Sequence, residues 1–232
     1  MKLLLPFRHT GVALAIGLFC AGPLNADNSA KTDWTKTYSV SDRGGYVVGN
    51  PAAPTKLVEY ASYTCGHCAN FEVNEAPKVK SNEVAFGGVS FELRNYIRDG
   101  ADLTVALLAR CGGKESFFAD HKYWMETQAQ WIVGTSRITT ATNANLDNRN
   151  VSGFLLGVYT DMRLAPYAAK RGLTNEKARA CLSDVNMRNA IMTMSNEAIQ
   201  ELKLPGTPSF LINGVAVPAH DYATLKPFLM KK

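Results

Sequence analysis

The sequence has little cysteine and little histidine, five and four residues among 232. It has no internal repeat and no long low-complexity run, which sets aside solenoids, propellers and compositionally driven disorder. No basic stripe with interleaved aromatics is present. The formal charge is only +5, two of those charges (Lys2 and Arg8) stand in the first ten residues, and the remaining cations alternate with acids, as in Glu176-Lys177-Ala178-Arg179. A nucleic-acid-binding role is therefore excluded at this level. The longest early apolar run, Val12 to Phe19, is too short to span a bilayer comfortably.

What the chain does have is an ordinary globular balance, 46% hydrophobic and 19% charged residues, enough for one generous domain or a domain carrying a large insertion. Residues 1–26 read as a signal peptide: a cationic start, the apolar run, then small residues ending at Asn25-Ala26, with cleavage expected after Ala26. A lipoprotein site at Cys20 is the competing reading, but Phe19 stands where a small residue is required. Residues 27–45 form a polar lead-in. Export to the periplasm removes Cys20 and leaves Cys65, Cys68, Cys111 and Cys181, an even number in an oxidising compartment.

Strand signals cluster at the two ends of the mature chain. Tyr46–Gly49 reads as a short edge strand, Lys56–Tyr60 as a buried strand, and Val89–Ile97 alternates apolar and polar as a third. The pattern from Cys65 to about Lys80 is helical, with Pro77 expected to kink or end it. From about 101 to 200 strand signals are nearly absent. Helices fit Leu103–Arg110, Glu115–Gln128, Phe154–Met162, Thr174–Leu182 and Asp184–Leu202, with a polar break around Thr139–Asn150. A strand Ser209–Ile212, the Asn213-Gly214 hairpin signal, a strand Val215–Val217 and a helix Tyr222–Met230 close the chain. The fold class is α/β: a βαβ unit and a ββα unit, 46–100 and 201–232, separated by an all-helical insertion at 101–200.

Cys65-Gly66-His67-Cys68 carries the chemistry. A cysteine at a helix start faces unpaired N–H groups and the positive end of the helix dipole, so its thiol acidifies and becomes the attacking group. His67 adds a donor and, when protonated, a positive charge. Zinc would need a second ligand pair, and Cys111 and Cys181 stand alone. Those two are expected to form a structural disulfide between helices of the insertion; two buried free thiols are the alternative. Farther along, Pro208 has no N–H and leaves the backbone of Thr207 free to pair with an extended substrate segment, unless the site is an ordinary turn before a strand. His121 and His220 have no motif around them and read as surface or helix-packing residues. Phe117, Phe118, Tyr123 and Trp124 read as core of the insertion.

Asn50-Pro51-Ala52-Ala53-Pro54, Leu57 to Cys68, and Gly206-Thr207-Pro208-Ser209-Phe210 followed by Asn213-Gly214 together resemble the DsbA-like branch of the thioredoxin superfamily, over roughly residues 46–230. The resemblance implies a thioredoxin fold with an inserted helical subdomain. It implies Cys65 as nucleophile, Cys68 as resolving thiol, Pro208 in the cis form facing them, and Glu59 as a buried acid assisting proton transfer at Cys68. It implies a protein disulfide oxidase that acts on reduced or unfolded exported proteins and is itself reoxidised by a membrane oxidase of the DsbB kind. No cofactor beyond the cysteine pair is called for. Gly66 departs from the Pro-His pair common in that branch and matches the Gly-His of protein disulfide isomerase. A reductase or isomerase of the same fold therefore stays open, as does a chaperone with an incidental cysteine pair. About 20 residues lie between the expected cleavage site and the first strand, too few for an independent dimerisation domain, so a monomer is expected.

Overall fold

The computed structural model describes residues 32–230; the expected leader, with Cys20, lies outside the described residues. Runs of Val, Phe, Tyr and Leu build a six-stranded sheet from β1 (Tyr38–Val40), β2 (Tyr46–Gly49), β3 (Thr55–Ala61), β4 (Val89–Asn95), β5 (Ser209–Ile212) and β6 (Val215–Val217). Their order is β1-β2-β4-β3-β5-β6. Only β3 and β4 run parallel, with Leu57 opposite Phe91 and Glu59 opposite Leu93; the other pairs are antiparallel. Parallel neighbours need a crossover, and residues 66–84 supply it as helix. The β5–β6 hairpin turns on Asn213 and Gly214, whose φ values of 49° and 85° are those of a type I′ turn.

Two strand expectations change. Tyr46–Gly49 is not an edge strand: the lead-in contributes β1, which pairs with β2 on one side while β4 pairs on the other. Three residues, Tyr38-Ser39-Val40, are too few for an alternation to declare itself in sequence. The third strand ends at Asn95 rather than Ile97, where the chain leaves the sheet toward the insertion.

The crossover consists of α1 (Gly66–Asn70), a π turn over Phe71–Glu75, α2 (Ala76–Val79) and a second π turn over Lys80–Val84. Pro77 does not end this helix. The wider turn before it, closed by the Ala76 N–H on the Phe71 carbonyl, absorbs the donor that proline lacks.

The insertion holds α3 (Gly100–Arg110), α4 (Lys114–Glu126), α5 (Gln128–Trp131), α6 (Thr140–Asp147), α7 (Val151–Asp161), α8 (Ala165–Lys170), α9 (Asn175–Leu182) and α10 (Val185–Asn196); α11 (Tyr222–Leu229) follows the hairpin. The polar stretch Thr139–Asn150, expected as a break, contains α6. That helix is held less by an apolar face than by hydrogen bonds: Thr139 caps it, and Asp161 of α7 accepts from the Thr139 N–H at 3.0 Å and the Thr142 hydroxyl at 2.6 Å. Helix α8 has a single buried residue of its own, Ala168, and gave no periodic signal.

The insertion and the sheet share one core. Phe117 lies 4.3 Å from the Tyr46 ring and Phe118 6.2 Å from the Phe91 ring, centroid to centroid. These aromatics therefore form the seam against the sheet rather than a core private to the insertion, and burying such rings contributes about 2 to 3 kcal/mol each. Trp124 and Trp131 are fully buried deeper in the helices. Cys111, at the C-terminal cap of α3, is disulfide-bonded to Cys181 of α9, their Cα atoms 5.7 Å apart.

Candidate active site

Strand β3 delivers the site. It is buried at every residue but Lys56, the polar Thr55 and Glu59 included, and it ends at Ala61 beside the short connection Ser62-Tyr63-Thr64. Cys65 then serves as the N-cap of α1, with extended φ and ψ of −98° and 115°. Cys68 lies one turn on and is completely buried, while Gly66 and His67 are exposed between them. Both cysteines are free thiols in this structure.

The two sulfurs sit in opposite environments. The Cys65 thiol is brought down to about 5, chiefly by a hydrogen bond from the Cys68 thiol, with help from the Thr207 side chain and the N–H groups of Cys68 and His67. Desolvation opposes these effects and loses. Cys68 is pushed strongly upward, first by burial, then by the hydrogen bond with Cys65 and the nearby Glu59 carboxyl. One thiol is therefore a stable anion at neutral pH and its neighbour is held neutral.

From the far end of the chain comes the loop before β5. The Thr207–Pro208 peptide bond is cis, and Cys65 Sγ lies 3.2 Å from the Thr207 carbonyl oxygen, to which its protonated form donates. Glu59, in register with Phe210 of β5, is 1% exposed, and neither of its carboxyl oxygens has a hydrogen-bond partner among the described residues. Burial, with repulsion from Glu72 and Cys65 added, raises its pKa well above the usual carboxylate range. It is a proton-bearing acid beneath the cysteines. The structure thus brings Cys65, His67, Cys68, Glu59, Thr207 and Pro208 to one place. Cys111 and Cys181 form a separate bridge in the insertion, and His220 is exposed on the loop before α11.

Residues 41–231 match the family profile described as Thioredoxin. The chain belongs to the thioredoxin family. A crystal structure of a protein-disulfide isomerase from Novosphingobium aromaticivorans is 35% identical to this family member, covers 80% of it and 97% of its own chain, and superposes with a TM-score of 0.73. The crystal structure of alpha-DsbA1 from Wolbachia pipientis, at 22% identity and a TM-score of 0.63 over 82% of this chain and 91% of its own, shares the fold with its helical insertion. A Rickettsia bellii protein whose name provisionally assigns it to the protein-disulfide oxidoreductases is 28% identical over 78% of this chain. This thioredoxin-family chain spans about three-fifths of the length of the curated relatives it matches.

Several residues of the site escaped the sequence reading. Glu72 is buried on the π turn, its Oε1 2.9 Å from Lys80 Nζ and its Oε2 3.7 Å from His121 Nε2. Its spacing from Cys65 and Cys68, seven and four residues, places it on their helix face and was a usable signal. His121, expected as a surface or helix-packing residue, is the latter: it is fully buried in α4, with Nδ1 2.9 Å from the Tyr63 hydroxyl, which ties it to the connection before Cys65. Desolvation holds it well below its ordinary pKa, hence neutral. Asp102 of α3 accepts from Ser62 Oγ at 2.6 Å and from the N–H groups of Tyr63 and Arg98 at 2.7 and 3.0 Å. Burial still lifts its pKa to about 7. Gln128 of α5 donates to the Tyr63 and Cys65 carbonyls. Neither Asp102 nor Gln128 is linked to the cysteines by any spacing in the chain.

Proposed function

We propose that this thioredoxin-family protein is an exported protein disulfide oxidase that donates its Cys65–Cys68 disulfide to cysteine pairs in reduced, newly exported proteins. The observation that supports this reading is the asymmetry of the two thiols. In the first step a substrate thiolate attacks Cys65 Sγ, forming a mixed disulfide and expelling Cys68 as a thiolate. Cys68 is disfavoured as an anion and takes up a proton, and the protonated, unpartnered Glu59 is placed to supply it. In the second step another substrate thiolate attacks the substrate sulfur of the mixed disulfide. The substrate disulfide forms and Cys65 departs as the stabilised thiolate. The substrate loses two electrons and the cysteine pair gains them. A membrane oxidase of the DsbB kind would restore the disulfide. Thr207 would offer its backbone to the extended substrate beside the sulfurs, with Pro208 shaping that edge.

An isomerase is the second reading, favoured by Gly66 between the cysteines and by the name of the Novosphingobium relative. Isomerisation requires a reduced site that attacks wrong disulfides repeatedly and holds the misfolded chain meanwhile. The test compares two rates for the purified mature protein: oxidation of reduced ribonuclease and rescue of scrambled ribonuclease. Oxidation is expected to dominate, and efficient rescue would overturn the oxidase assignment. In the same assays Cys65→Ser abolishes exchange, whereas Cys68→Ser accumulates mixed disulfides through Cys65; trapping through residue 68 instead would reverse the assigned roles.

A further inference from the structure

Every polar group of Tyr63, two residues before the attacking thiol, is taken by the helical insertion. Its N–H donates to Asp102 of α3 at 2.7 Å, its hydroxyl meets His121 of α4 at 2.9 Å, and its carbonyl accepts from Gln128 Nε2 of α5 at 2.7 Å. Gln128 goes one step further than the others. The same nitrogen donates to the carbonyl of Cys65 itself at 2.9 Å, beside the Ala69 N–H that makes the first bond of α1 at 3.1 Å. Only the NH₂ end of a glutamine can serve two carbonyls at once, so the orientation of the amide is fixed by its partners. The side chain is buried, and it opens α5, a short helix anchored behind by Trp131.

We propose that Gln128 is a positioning residue for the redox reaction: it clamps the Tyr63 and Cys65 carbonyls, and so holds the Cys65 sulfur in front of the N–H groups at the start of α1. The proposal deepens the oxidase reading and rests on Cys65 being the attacking thiol. Hydrogen bonds to a sulfur anion weaken steeply with misalignment. A clamp on the carbonyl of the N-cap residue and on a carbonyl two residues earlier fixes the torsions between them, those that aim the sulfur. Without it a buried carbonyl at Tyr63 loses its donor, and the connection must move to find another. The insertion then does more than cover the site; through one amide it adds to the acidity that the Cys68 thiol chiefly provides.

The experiment titrates thiolate absorbance of the reduced mature protein and measures its equilibrium with glutathione, for wild type, Gln128→Met and, as a control on the same helix that keeps Gln128, Gln130→Met. Met keeps the length and apolar stem of Gln but has no donor. The expected result is a Cys65 midpoint near 5 in wild type and in Gln130→Met. In Gln128→Met it rises by a unit or more, with a roughly tenfold shift of the glutathione equilibrium toward the oxidised protein. Leu182→Ala, a cavity in α9, serves as a general destabilisation control and leaves the midpoint in place. Should Gln128→Met not fold, Gln128→Asn, which withdraws the amide by one methylene, carries the same comparison. An acidic wild-type thiol that stays equally acidic in a folded Gln128 variant overturns the clamp and leaves the oxidase reading standing. A wild-type midpoint near that of a free cysteine overturns both.

Discussion

Cys65 and Cys68 share a turn of helix and carry opposite electrostatics, and the residues around them explain how. Gly66 is open space on the outer side: a Cβ placed there meets nothing closer than Gln128 Oε1, at 4.0 Å. Cys65 already has the extended conformation that a following proline demands, and Gly66 is the first residue of α1, where proline is best tolerated. Gly66→Pro is therefore expected to fold with an unchanged or slightly higher melting temperature, checked by thermal unfolding of the oxidised form. Glu59 gives a second expectation at this scale. Its carboxyl keeps a proton in the folded state that it would release when unfolded, so folding grows costlier as pH rises above the unfolded value near 4.5. Glu59→Gln should match wild type at pH 4 and be the more stable of the two at pH 7, read from urea midpoints, while slowing the first exchange step, in which Cys68 must take up a proton. The cysteine pair, Glu59 and the Thr207-Pro208 loop were legible because each sits in a short motif. Gln128, Asp102 and His121 were not, because what matters about them is which loop they touch, and that is decided by the packing of three helices.

Among the elements, the long strongly periodic ones were legible and the short polar ones were not. β3, β4, the β5–β6 hairpin and α9 with its Thr174 cap follow from alternation, turn chemistry and capping. β1 and α6 depend on partners: β1 on pairing with β2, α6 on a carboxylate from the next helix. The same dependence makes the disulfide between α3 and α9 informative. It closes a loop of 70 residues, worth roughly 4 kcal/mol in the chain-entropy view. Replacing both Cys111 and Cys181 by Ala should lower stability by up to that amount, measured by denaturant unfolding, while leaving the Cys65 thiol as acidic as before. A matching loss of acidity would mean that the bridge reaches the site through α3 and Asp102.

For the molecule as a whole, the acidity of Cys65 links its redox state to its stability. The thiol falls from 9.0 to about 5 on folding. A depressed pKa stabilises the folded reduced form fully only above the unfolded value, and that gain is lost as pH falls through the folded one. The oxidised form has no such anion. The stability of reduced over oxidised protein should therefore climb between pH 5 and 9 and lie flat below 5, while Cys68, pushed the other way, works against it above 9. Urea unfolding of both forms at pH 4 and pH 8 checks the sign, and a difference independent of pH would remove the thiolate from the energetics.

The two rims of the sheet bear on where such a protein can work. Both outer strands, β1 and β6, are three residues long, and β6 runs straight into Pro218. Neither offers the long row of free N–H and C=O groups on which a sticky, extended chain could nucleate. If the chain works on unfolded polypeptides as proposed, such short flanks would keep it from seeding their aggregation, and strand-like docking would fall to the Thr207 backbone beside the sulfurs.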